Sequence, residues 1–333
     1  MPIIPDTTLY AVIHIDTHNR IPYISRNEKQ VPAGFTVSRG RKESRCPGRN
    51  RLLDLSESEI HLWFAFPGET GDPQTPASTR PVLDDGEQAR MKRLHFPDGR
   101  RLFGVSHTLV RTALSMYSEI PPQEWRFVEN AHGKPVIDPD LDSSPFRFSL
   151  AHTKGLAVVA VTEGADVGVD VERADRFVDA ARLSSRFFSP EETTALQELS
   201  PDRLRERFFL YWTLKESYIK ARGLGLSLPL DSFSFRLAGE CPFRIGFSGD
   251  DPDVPGGWRF ALLRPLPQYV AAVGVSSARP DPVRIRCFHT LPSGEISPLS
   301  FEPVGLSPGV EMNEDPSKKR MTFPLTPIAG CDR

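Results

Sequence analysis

Cysteine is scarce in this chain: four residues, Cys46, Cys241, Cys287 and Cys331, among 333. They lie too far apart for a zinc-binding spacing and are too few for a disulfide framework, so a reducing compartment is the simpler expectation. Net charge is nearly absent as well. Lys and Arg number 41 against 43 Asp and Glu, which removes the overall field that would favour nucleic acid or an anionic membrane surface; any basic site must be local. No apolar run approaches the roughly 20 residues of a membrane span. The opening Met-Pro-Ile-Ile-Pro-Asp lacks the basic start and apolar stretch of a secretory leader. These absences lead to the expectation of a cytoplasmic protein that acts on neither nucleic acid nor membrane.

Residues 1–58 carry a basic, Pro/Gly/Ser-containing stretch with no sustained period, and are expected to be an irregular extension. The run Ile60-His61-Leu62-Trp63-Phe64-Ala65-Phe66, closed by Pro67-Gly68, reads as the first buried strand. A Pro/Thr/Gly-rich loop over 69–82 follows. Residues 84–93 and 105–117 read as helices, the second with Leu109, Val110, Ala113 and Leu114 on its apolar face. Strand-like runs recur at 146–150, 156–161 and 269–275, and the last two share a small-apolar character that hints at a duplicated α+β unit. Beyond about residue 280 the Pro-rich, charged chain is expected to be irregular.

In Val167-Gly168-Val169-Asp170-Val171-Glu172, valines alternate with carboxylates. At a strand's period of two, Asp170 and Glu172 share one face with Cα atoms roughly 6.5–7 Å apart, close enough to converge on one cation. The same alternation is the ordinary mark of a half-exposed sheet. Trp212, Glu216 and Lys220, spaced i, i+4, i+8, line up along one helix face, whereas Lys215 points about a quarter-turn away. A surface salt bridge explains that pattern equally well. Ser189-Pro190-Glu191-Glu192 is a capping box with proline at the first helical position, and structure alone accounts for Glu192. Asn130-Ala131-His132-Gly133-Lys134-Pro135 is a turn whose Lys134 suits a phosphate, and His152 reads either as a satisfied structural histidine or as a ligand. Arg90, Lys92, Arg93, Arg100 and Arg101 form a basic cluster that is either a solvated patch or a phosphate dock.

Taken in order, several of these segments together resemble the 4'-phosphopantetheinyl transferases of the surfactin-synthetase-activating type. They are Gly133-Lys134-Pro135, Phe148 to Thr153, Gly168 to Glu172, Phe187 to Glu192, Trp212 to Lys220 and Gly223 to Leu230. The resemblance covers about residues 60–277. It implies a pseudo-twofold α+β monomer of two similar halves, 59–163 and 164–280, with the site in the cleft between them and 281–333 as a tail. The implied reaction moves the phosphopantetheine arm of coenzyme A to a serine of an apo acyl, aryl or peptidyl carrier protein. A holo-carrier synthase of this kind releases 3',5'-ADP.

The resemblance further implies that Asp170, Glu172 and Glu216 hold magnesium, with Glu216 as general base. It puts Lys220 and Lys215 on the coenzyme's phosphates, Lys134 and Pro135 at its adenine end, and His152 and Arg90 around the 3'-phosphate. Arg101, Glu192 and Trp212 are further candidates. The chain departs from the family at Ala151, where a serine is usual, so one hydroxyl contact to phosphate is expected to be missing. A binding module that keeps the fold without the reaction is the alternative, disfavoured by the retention of all three carboxylates.

Overall fold

The computed structural model describes residues 52–67, 82–141, 145–237, 244–247, 257–277, 281–290, 296–301 and 303–313. The N-terminal extension expected over 1–58 and the loop expected over 69–82 lie almost wholly outside the described residues. The end of the expected tail, 314–333, does so entirely.

The apolar run at residue 60 forms strand β1 (Glu59–Ala65), and it is apolar throughout because both its faces are covered. On one face Trp63 and Ala65 meet Leu109, Val110, Ala113 and Leu114 of helix α2 (Pro97–Leu114). On the other, Ile60, Leu62 and Phe64 pack towards a second sheet. Before α2 comes α1 (Asp85–Arg93), opened by a capping box in which Asp84 and Glu87 exchange hydrogen bonds. Arg111, fully buried on α2, fastens α1 by an ion pair to Glu87 at 2.8 Å. The hairpin β2 (Phe127–Glu129) and β3 (Pro135–Ile137) follows, then β4 (Phe146–Thr153) and β5 (Leu156–Glu163). Even-numbered residues of β5 from Leu156 to Ala160 face the second sheet, and odd-numbered ones from Ala157 to Val161 face α2.

Strand β6 (Val167–Arg173) opens the second sheet. Three helices follow, α3 (Ala180–Phe187), α4 (Pro190–Gln197) and the 22-residue α5 (Pro201–Arg222). The remaining strands are β7 (Phe233–Arg236), β8 (Arg244–Phe247), β9 (Trp258–Leu263) and β10 (Tyr269–Ser276). Helix α5 lies across β6 and β10, and Gly168 lets it come close. Gly168 and Gly274 are cross-strand partners; a Cβ on Gly168 would overlap Ser217 O and Ala221 N of α5, and one on Gly274 would overlap the Phe260 ring. The two sheets are joined where the Val169 N–H donates to Ser149 Oγ at 3.1 Å. The fold is thus mixed α+β, with β5 in one sheet and its small-apolar counterpart β10 in the other. No helix among the described residues is long and apolar enough to cross a membrane.

Several expectations need correction. The chain beyond residue 280 is not irregular where it is described: it forms β11 (Val283–Thr290), β12 (Ile296–Leu299), β13 (Pro303–Leu306) and β14 (Val310–Met312). The first sheet runs β12-β11-β1-β5-β4 with β14 also beside β11, and the second runs β13-β9-β10-β6. The physical reason is an alternation that buries Val283, Ile285 and Cys287 in the shared core and leaves Arg284 and Arg286 on the opposite side. Helix α2 begins eight residues earlier than expected, at Pro97 rather than 105, with proline in its first turn. Strand β4 runs through His152 and Thr153, so the turn to β5 is only Lys154-Gly155, with Gly155 at φ 88°.

Candidate functional site

On β6, Val167, Val169 and Val171 enter the core between the sheets, which turns Asp170 to the face beneath α5. That face was expected to be a non-core one. It is covered, and Asp170 is only 4 % exposed. Residues 208–219 of α5 are buried on every side of the helix, because β6 and β10 take one face and α4, β7 and aromatic rings take the others. Gly223, at φ 63°, ends the helix with a left-handed cap.

This packing brings Lys220 Nζ to 2.6 Å from Asp170 Oδ1. Burial by itself would lower the pKa of the Lys220 ammonium, but the carboxylates of Asp170, Glu216 and Glu172 outweigh it and hold the group above the ordinary lysine value. The charges of all three expected carboxylates thus favour the protonated form of this one ammonium, and Asp170 is in direct contact with it. Glu172 also pairs with Arg176, its Oε1 lying 3.1 Å from the guanidinium, whose central carbon stands 5.3 Å from the Phe209 ring centroid. Trp212, on the same helix face as Glu216, packs with Phe188 and Phe208.

Among the described residues no three His, Cys, Asp or Glu side chains form a ready-made metal cluster. The donor set is nevertheless of the right kind for a hard divalent cation, being all carboxylate oxygen. Asp170 Oδ2 is buried and has no hydrogen-bond partner among the described residues, an arrangement that a cation would satisfy.

Lys215 and Glu192 form a different pair. The Lys215 ammonium, fully buried, donates to Leu230 O at 2.7 Å and Phe233 O at 2.6 Å and lies 2.7 Å from Glu192 Oε2. Glu192 Oε2 also accepts from the Ser189 N–H and hydroxyl, and Oε1 from the Phe235 N–H at 2.8 Å. The capping box is present, and the same carboxylate fastens α4, α5 and β7 together. Lys215 therefore stands with Glu192, not with Lys220 at Asp170.

Lys134 sits in the β2–β3 turn, where Asn130 accepts from the Lys134 N–H and donates to Gly223 O at 3.0 Å. The Lys134 ammonium donates to Val167 O and Ala221 O, at the start of β6 and the end of α5. Burial, aided by Arg147 and opposed by Asp166, lowers its pKa from the usual lysine value. A cavity of about 430 Å³ opens there, lined by Lys134, Pro135, Phe148, Asp166 and Arg222 among others. His152 is half-buried on β4, and its neighbour Ala151 points into the core between the sheets. Arg90 is exposed in the last turn of α1, and Arg101 is half-buried on α2. Arg176 escaped the sequence reading; its one signal there is the four-residue spacing from Glu172.

The family model of the 4'-phosphopantetheinyl transferase superfamily matches residues 166–273, from the start of β6 through most of β10. The chain is 31 % identical over 224 residues to the 4'-phosphopantetheinyl transferase HetI of a Nostoc species, which is 67 % of this chain and 90 % of that relative. It is 35 % identical over 143 residues to the 4'-phosphopantetheinyl transferase Sfp of Bacillus subtilis, covering 43 % of this chain and 61 % of the relative. It is 32 % identical over 152 residues to the 4'-phosphopantetheinyl transferase gsp of Aneurinibacillus migulanus, covering 46 % and 60 %. The chain thus spans nearly all of the first relative and about three-fifths of the other two.

Proposed function

Since the chain belongs to the 4'-phosphopantetheinyl transferase superfamily, we propose that it transfers the phosphopantetheine arm of coenzyme A to a serine of apo carrier proteins, with 3',5'-ADP as the second product. The observation that carries this reading is the contact of Lys220 with Asp170 inside the field of Glu216 and Glu172. A cation held among three carboxylates beneath a helix is costly to build, and a site that handles charged phosphates gives it a use.

Asp170, Glu172 and Glu216 would hold magnesium, which when bound supplies charge stabilisation for the coenzyme's diphosphate. Glu216 takes the proton from the carrier serine at a carboxylate oxygen. Lys220, one helical turn further on, offsets the negative charge that builds on the departing 3',5'-ADP. Lys134 and Pro135 flank the cavity that suits the adenine end, while Arg90, His152 and Arg101 serve the 3'-phosphate. Lys215 is better read as a support of the site, because its ammonium is already held by Glu192 and two carbonyls.

The two halves, 59–163 and 164–280, would be pseudo-twofold related, with the coenzyme in the cleft between them. The placement of β5 and β10 in separate sheets and the Ser149–Val169 junction support this reading. Because one chain supplies both halves, a cytoplasmic monomer suffices. The test is to incubate the full chain with coenzyme A, magnesium and apo carriers of the fatty-acid, polyketide, nonribosomal-peptide and aminoadipate-reductase kinds, and then to weigh each carrier. A gain of one phosphopantetheinyl group is the expected result. Unmodified carriers throughout would overturn the reading.

A further inference from the structure

Arg176 lies just beyond β6, in the segment leading to α3, and three observations set it apart from an ordinary surface arginine. Its guanidinium pairs with Glu172 Oε1 at 3.1 Å. It stacks over Phe209 of α5 at 5.3 Å, so its position is supported by a contact that does not depend on Glu172. Its Nε is buried with no acceptor among the described residues. An exposed ion pair four residues apart would keep its remaining donors in water and would contribute little. Here a cation with an unused buried donor is fixed at the edge of the carboxylate group.

Charge makes the next step. Asp170 already holds Lys220 and Glu172 holds Arg176, and a diphosphate entering beside carboxylates is repelled unless cations such as these face it. We infer that Arg176 is a phosphate-binding residue of this site, held on Glu172 as an internal counter-ion and released to the coenzyme's diphosphate when Glu172 joins a divalent cation. The inference rests on the function proposed above. The guanidinium fork suits phosphate oxygens better than an ammonium would, and its stack on Phe209 keeps it in place once Glu172 is engaged elsewhere.

The test uses the full chain, Arg176→Gln and Arg176→Lys, each titrated calorimetrically with Mg²⁺ alone and then with coenzyme A at saturating Mg²⁺. Removing the guanidinium takes away a positive charge that competes with the cation at Glu172, so Arg176→Gln should bind Mg²⁺ alone about two- to fivefold more tightly. It should bind coenzyme A about tenfold more weakly. Arg176→Lys should recover part of the coenzyme affinity. A merely structural role does not produce opposite signs, because a loosened site loses affinity for both ligands. Unchanged coenzyme A affinity in Arg176→Gln, or a loss of affinity for both ligands, would overturn the inference. Failure of the unaltered chain to take up either ligand would instead overturn the proposed function, and the inference with it.

Discussion

The Lys215 ammonium lies 2.7 Å from Glu192 Oε2, and neither side chain is more than 1 % exposed. Burial pulls the Lys215 pKa below the usual lysine value, and Glu192 offsets only part of that effect. Glu192→Gln keeps the capping-box hydrogen bonds with Ser189 but leaves a buried ammonium without its counter-charge. The expected loss of stability is about 3–5 kcal/mol, measured by denaturant unfolding. Coenzyme A affinity of the folded variant should be unchanged, and Glu192→Gln combined with Lys215→Met should be more stable than Glu192→Gln alone. A stable Glu192→Gln with weakened coenzyme binding would return this pair to the phosphate site.

Gly168 is the point at which α5 touches β6. Gly168→Ala places a Cβ against Ser217 O and Ala221 N, both backbone atoms that cannot step aside. The helix must shift, and Lys220 with it, one residue from the overlap. The expected cost is about 1–3 kcal/mol in unfolding free energy, with transfer slowed more than tenfold because the Lys220–Asp170 contact is displaced. Gly99→Ala, on α2, meets nothing within 4 Å and is the control, expected to be neutral or slightly stabilising.

His61 gives a pH signature remote from the proposed chemistry. Trp63 Nε1–H donates to Tyr117 Oη at 2.8 Å, which directs the tyrosine proton to His61 Nδ1, also at 2.8 Å. Burial, with Arg286 adding to it, pushes the His61 pKa down to about 3. In the unfolded chain this histidine takes a proton near pH 6.5. Between pH 6.5 and 3 the unfolded state therefore binds more protons, and stability falls as the pH is lowered. From pH 7 to pH 5 the loss from this group should be about 2 kcal/mol. His61→Gln should flatten the unfolding free energy by that amount relative to the unaltered chain. Equal pH dependence in both proteins would show that His61 is protonated in the fold.

What was legible in the sequence was local. The period of two in β6, the i, i+4, i+8 row on α5 and the Ser189–Glu192 cap all appear where they were expected, because each depends on neighbours a few residues away. What α5 covers is not local, so the burial of Asp170 could not be read from alternation. The same limit separated the two lysines of α5. Lys220 pairs with Asp170, 50 residues upstream, and Lys215 with Glu192 and the carbonyls of 230 and 233. Only the packing around the helix decides which lysine faces which carboxylate. Strand β11 was hidden for another reason: its alternation of Val283, Ile285 and Cys287 is intact, but its flanks are rich in proline and its partner β1 lies more than 200 residues away in sequence.

Ala151, the departure from the family pattern, packs in the core between the sheets at 4 % exposure. A hydroxyl there would be surrounded by the apolar side chains of that core. Ala151→Ser is expected to leave coenzyme A affinity unchanged and to lower stability by about 1–3 kcal/mol, the cost of a buried hydroxyl without a partner. Calorimetric titration checks the first and thermal unfolding the second. A gain in coenzyme affinity would place this residue beside the phosphate after all.

Glu216 and Lys220 share a helix face but are expected to fail in different ways. Glu216→Gln keeps the shape of the side chain and one oxygen but cannot accept the serine proton. Transfer to an apo carrier, followed by mass in a single turnover, should slow by about 10²–10⁴. Coenzyme A should still bind, since one side-chain oxygen remains for the metal and the Lys220–Asp170 pair is untouched. Lys220→Ala removes the ammonium 2.6 Å from a carboxylate that is almost wholly buried. That change should lower stability as well as coenzyme affinity and turnover, because it leaves Asp170 without its counter-charge and the departing phosphate without its cation. Lys220→Ala combined with Asp170→Asn separates these effects: the neutral pair should regain stability while transfer stays lost. If Glu216→Gln instead turned over at the full rate with saturating magnesium, the serine proton would leave by another route, and Glu216 would be left as a cation-binding carboxylate only.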